Sequence, residues 1–123
     1  MEIKYLIKES YNNAVDHGFH DCYNKAVNQA TMKKVNNENN DYEKEVVTNI
    51  LSSYMNLLTS EIGEATQELR KDNIDAFLEE LADVYIRLSD LVGVLGYADD
   101  MEEVIQKKLY KNRKRPYKHG KLI

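Results

Sequence analysis

Apolar side chains recur three and four positions apart along most of the chain, the spacing of one face of an α-helix. Between residues 42 and 70 the stripe runs Val47, Ile50, Leu51, Tyr54, Leu57, Leu58, Ile62, Ala65 and Leu69. Between 74 and 95 it runs Phe77, Leu81, Val84, Leu88, Leu91 and Val92. Proline is absent before Pro116, so nothing breaks these periods. The pattern predicts an all-α protein, a bundle of four to five helices over about 2–15, 19–35, 42–70, 74–95 and 101–111. Local chemistry agrees at the joints. Gly18 and Gly96 suit the left-handed position after a helix, and Asp72 or Asn73 and Asp99 or Asp100 are N-cap residues. Residues 36–41 (NNENND) read as a polar loop, and Pro116 with Gly120 marks an irregular end. The short connection at 71–73 makes the third and fourth helices antiparallel neighbours.

Two carboxylate pairs interrupt these stripes. Glu61-x-x-Glu64 and Glu80-x-x-Asp83 each place two acids on one helix face, and Glu61 stands where the next apolar residue is due. Glu61 and Glu64 precede the 71–73 turn by the same number of residues as separates Glu80 and Asp83 from it. At about 1.5 Å per residue, both pairs lie roughly 10–15 Å from the turn, facing one another. Four carboxylates in a partly apolar setting require cations. All-oxygen ligands favour Mg2+ or Mn2+, the chemistry of a site that handles phosphates. A di-iron bundle would need Glu-x-x-His, and no Glu in the chain has His three positions later. Glu68, Glu79, Glu102 and Glu103 read as solvated helix faces. His17 and His20 share the spacing of zinc ligands but have no set of thiols to complete a site, and read as turn or cap residues.

The 123 residues suit one domain; 42% hydrophobic and 31% charged residues describe a globular chain. The single Cys22 excludes an internal disulfide, the N-terminus carries no secretory h-region, and the 91–97 apolar run is too short to cross a bilayer. A cytoplasmic location without membrane contact is expected. Charge is divided unevenly. Residues 104–123 hold eight Lys or Arg and no acid, leaving nine basic against twenty-one acidic side chains before them, a net of −12. We therefore divide the chain into a helical domain, 1–112, and a basic tail, 113–123. Such a tail suits nucleic acid, or phosphates held over the acidic pairs, while Lys107, Lys108 and Lys111 also suit a helix C-terminus. Without a groove-entering helix or exposed aromatics beyond Tyr110 and Tyr117, nucleic acid is the weaker reading.

The motifs Leu58-x-x-Glu61-x-x-Glu64-Ala65, Glu79-Glu80-Leu81-Ala82-Asp83-Val84 and Lys108-x-x-x-Asn112-Arg113-x-Arg115-Pro116-Tyr117-Lys118-His119-Gly120-Lys121, with the earlier His17-Gly18-Phe19 turn, resemble the MazG-like all-α nucleoside triphosphate pyrophosphohydrolases. The resemblance covers most of the chain. It implies cleavage of a (d)NTP between the α and β phosphates, giving the monophosphate and pyrophosphate. It implies that Glu61, Glu64, Glu80 and Asp83 hold Mg2+ (or Mn2+) and serve catalysis, and that Lys108, Asn112, Arg115 and Lys118 contact phosphates. Phe19 reads as core or as a wall for the base, a role open also to Tyr54, Tyr85 and Tyr97 because the chain has no tryptophan. Broad apolar stripes on so short a chain predict a homo-oligomer, and the resemblance points to a homodimer or homotetramer. The alternative is a non-catalytic protein that sequesters a nucleotide, or a regulatory one, on the same fold. Base and sugar preference are not legible in these motifs.

Overall fold

The computed structural model describes residues 1–116. They form five α-helices: α1 (Ile3–Asp16), α2 (Asp21–Val35), α3 (Asp41–Arg70), α4 (Ile74–Val94) and α5 (Met101–Arg113). No strand occurs among the described residues. At about 1.5 Å per residue, α3 is roughly 45 Å long and is the spine of the molecule. α4 folds back along it, α1 packs on α4, α2 packs on the first part of α3, and α5 rests mainly on α1.

Each boundary has a local cause. α1 stops because Gly18 takes a φ of +75°, a conformation open to a residue without Cβ. The Asn-rich loop is tied down by its own amides: Asn40 Nδ2 donates to the Ala30 carbonyl at 3.0 Å, and the Asp41 N–H donates to Asn39 Oδ1 at 3.0 Å. Asp41 and Glu43 then place negative charge in the first turn of α3, where the helix dipole favours it. The α3–α4 turn closes through Asp72, at φ +58°, and through Asn73, whose Oδ1 accepts from the Ala76 N–H at 3.2 Å. Asp100 stands at the N-cap of α5 without a capping bond. Asp99 turns away to Lys4 on α1, at 2.8 Å, an exposed pair that fastens α5 only weakly.

α1 and α4 approach closely at Gly93, where a Cβ would lie 2.7 Å from Tyr11 Cβ. Few apolar side chains are fully enclosed: Ile7, Ala14, Ala26 and Ala65 are the buried hydrophobic residues among those described. Most of the expected stripe residues are only half-buried in the single chain, and Leu57, Ile62, Leu69 and Leu88 are exposed. Outside the stripes, Met55 on α3, in a spacing of seven with Ile62 and Leu69, and Leu78 and Tyr85 on α4 are exposed as well. Two helices cannot enclose side chains on both their flanks, and repeats of seven leave a seam suited to another helix.

Candidate metal centre and its neighbouring cavity

The α3–α4 hairpin brings Glu61, Glu64 and Glu80 together, with one carboxylate oxygen of each lying within 4.8 Å of the others. Matched distances from the 71–73 turn and i,i+3 spacing on α3 produce this convergence. Glu61 is buried, Glu80 half-buried and Glu64 exposed. Glu80 Oε2 is enclosed without a hydrogen-bond partner. Burial, then the charge of Glu64, pushes the Glu80 carboxyl up to about 7.

Asp83 does not join the three. It lies one turn beyond Glu80, exposed, on the wall of an adjoining cavity. Beside Glu61 stands Arg87, whose Nε donates to Glu61 Oε1 at 2.7 Å. Helical side chains lean toward the N-terminus of their helix, so Arg87 reaches back to the level of Asp83 and Glu61.

The cavity, of about 190 Å³, lies between α1, α3 and α4 and is lined by Asn13, Phe19, His20, Tyr54, Asp83, Ile86, Arg87 and Asp90, among others. An apolar cavity of ~150 Å³ accepts benzene, so this volume suits one heterocyclic ring rather than a whole nucleotide. Its floor is His20, enclosed with 2% of its surface exposed. His20 Nε2 donates to Asp90 Oδ1 at 2.7 Å, and its Nδ1 lies 3.0 Å from the Tyr54 hydroxyl. That hydroxyl donates in turn to the Phe19 carbonyl at 3.2 Å. Tyr11 stacks on the imidazole with ring centroids 5.7 Å apart. Burial first, and then the Asp90 charge, holds the Tyr54 phenol above its ordinary range.

His20 stands in the turn and at the N-cap of α2, as expected, but its side chain makes no capping bond and its ring is spent on the interior. His17 does behave as a cap, with Nδ1 2.7 Å from the Asn13 carbonyl at the end of α1. Phe19 is largely exposed and lines the cavity, so it is not the core residue that was one of its two expected roles. Tyr54 also lines it; the exposed Tyr85 and Tyr97 do not. Lys108, Asn112 and Arg115 stand on and just after α5, outside the cavity lining and without an ion pair to the three carboxylates. Lys108 and Arg115 are exposed, and Asn112 Oδ1 is buried without a partner. Lys118 lies outside the described residues. Arg87 and Asp90, which give the site its ionic partners, carried no motif. Their signal in the sequence is position alone, seven and ten residues after Glu80 on the same face of α4.

No curated protein and no solved structure matches the chain. The family model of the MazG nucleotide pyrophosphohydrolase domain matches residues 50–119, more than half of the sequence and the part that holds α4, α5 and all three converging carboxylates. The described residues form five helices, with no strand and no helix long and apolar enough to cross a membrane among them, and with that match the chain belongs to the MazG nucleotide pyrophosphohydrolase domain family.

Proposed function

We propose that the protein is a divalent-metal-dependent nucleoside triphosphate pyrophosphohydrolase that converts a (d)NTP to its monophosphate and pyrophosphate. The observation that carries this reading is the convergence of Glu61, Glu64 and Glu80 around an enclosed, unpartnered Glu80 oxygen inside a domain of this family. The donor set fits Mg2+ or Mn2+: it is all oxygen, anionic and partly desolvated. When bound, such an ion neutralises phosphate oxygens and lowers the pKa of a water.

The chain's own residues supply the rest. Glu61, Glu64 and Glu80 hold the ion, and Asp83, standing off on the cavity wall, completes the carboxylate set. Exposed, and standing outside the three converging carboxylates, Asp83 is also the carboxylate free to accept the proton of the attacking water. The new bond joins water oxygen to the α-phosphorus, the α–β bridging bond breaks, and pyrophosphate leaves. Phe19 and Tyr54 offer walls for the base in the cavity beside the carboxylates. Lys108, Asn112, Arg115 and Lys118 bind phosphates. They reach the triphosphate in cis or from a neighbouring copy. The exposed seams of α3 and α4 support a homodimer or homotetramer. Residues 1–112 form the working domain, 113–123 the basic arm, and the cytoplasm is the compartment where nucleotides are met.

One observation favours a second reading, a non-catalytic nucleotide-binding protein: Asp83 stands apart from the other three carboxylates. Product analysis separates the two. Each common NTP and dNTP, incubated with Mg2+ and with EDTA, should yield monophosphate and pyrophosphate only with the metal. Binding without turnover for the whole panel would establish the second reading.

A further inference from the structure

We propose that Arg87 is a resident counter-cation of the acidic cluster, which exchanges with the divalent ion at Glu61 and is thereby released into the cavity. The inference rests on the metal centre proposed above. Glu61 is buried, and a buried carboxylate needs a cation. Among the described residues, Arg87 is the one basic side chain paired with any of Glu61, Glu64 and Glu80, through Nε at 2.7 Å.

Among the described residues, Arg87 has no other polar partner. The bond to Glu61 is its one hydrogen bond among the described residues, and 39% of its side chain is exposed. A residue that merely orients a ligand is itself locked by further bonds; Arg87 is tethered at one atom and borders a cavity. A guanidinium has five N–H donors. One is engaged on Glu61, and the side chain also lines a cavity whose walls carry Asp83 and Asp90. A divalent ion and a guanidinium at one carboxylate repel each other, so gain of the ion weakens the bond to Arg87. Release leaves the fork beside Asp83 and Asp90, where it meets the acceptor groups of a bound nucleotide. Nucleotide recognition is then tied to metal loading through one side chain.

Two accounts of Arg87 predict opposite signs. Calorimetric titration with Mg2+ and Mn2+ should show Arg87→Gln binding the ion about tenfold more tightly or better, as expected on removing one nearby like charge. Arg87→Lys, which keeps the charge, should stay within about threefold of the unaltered protein. Weaker or unchanged binding by Arg87→Gln overturns the proposal. A second readout needs only the unaltered fold. The ¹⁵N–Hε resonance of Arg87, assigned by its absence in Arg87→Lys, should shift with Mg2+ and saturate with the calorimetric binding. A resonance indifferent to bound Mg2+ overturns the exchange while the metal centre stands. Absence of metal binding by both the unaltered protein and Arg87→Gln overturns the metal centre and the exchange together.

Discussion

Gly93→Ala tests the join between α1 and α4 on which the cavity depends. Alanine is favoured over glycine inside a helix by about 1 kcal/mol, which alone would stabilise α4. The new methyl, however, would lie 2.7 Å from Tyr11 Cβ and 3.2 Å from Tyr11 Cγ. That neighbour is the root of a side chain, so no rotamer change removes the overlap and the two helices must part. Overpacking of this kind typically costs about 1–3 kcal/mol. The clash wins over propensity, leaving a net loss of up to about 2 kcal/mol. For a chain of this size each kcal/mol moves the melting temperature by roughly 3–6 °C, so a fall of up to about 10 °C is expected, at matched protein concentration. Function should suffer as well, because Tyr11 stacks on His20 and moving it disturbs the cavity floor. Calorimetry and circular dichroism read the first effect, and KM for the preferred nucleotide reads the second. A variant more stable than the parent, by the full propensity gain, would refute the close approach of α1 and α4.

The Glu80 carboxyl, ordinarily near 4.5, lies at about 7 in the folded chain. The fold therefore binds this proton more tightly than the unfolded chain, and the stabilisation, full below about 4.5, is lost as pH rises through 7. Denaturation midpoints of the metal-free protein should fall over that range, saturating Mg2+ should remove the trend, and Glu80→Gln should flatten it; an unchanged slope in Glu80→Gln would contradict the burial argument. Arg115→Ala should raise KM or lower kcat for the nucleotide by loss of a charge-assisted phosphate contact, with unaltered melting, and kinetics equal to the parent would remove Arg115 from the site. Light scattering should report a dimer or tetramer at micromolar concentration, and Leu78→Glu should shift it toward monomer; a monomeric parent would contradict a trans-acting α5.

What could be read in the sequence followed from local rules. Helix boundaries were legible because caps and left-handed residues act within a few positions, as Gly18 and Asn73 do. The meeting of Glu61, Glu64 and Glu80 was legible because a three-residue turn fixes the register of an antiparallel pair. Asp83 was harder: it shares the height of Glu61, but height does not say on which wall a short side chain ends. The pairs His20–Tyr54 and His20–Asp90 join residues 34 and 70 apart in the chain. They depend on α2 and α4 meeting α3 at particular faces, which no periodicity encodes. Arg87 escaped for the same reason, since a long flexible side chain chooses its partner only after the helices pack. The stripes on α3 and α4 promised a core that the single chain leaves half exposed, because periodicity marks an apolar face without saying which chain covers it.

The three converging carboxylates are proposed to hold a metal used to release pyrophosphate. The most direct measurement is the rate of pyrophosphate release from the preferred (d)NTP by the unaltered protein in Mg2+, by the same protein in EDTA, and by Glu64→Gln in Mg2+. Glu64 is the choice because it is exposed and makes no ion pair among the described residues, so its loss should spare the fold. Release in Mg2+, falling to background both in EDTA and in a Glu64→Gln protein of unchanged helical content, is the predicted result. Full release by Glu64→Gln, or release that survives EDTA, would contradict the account.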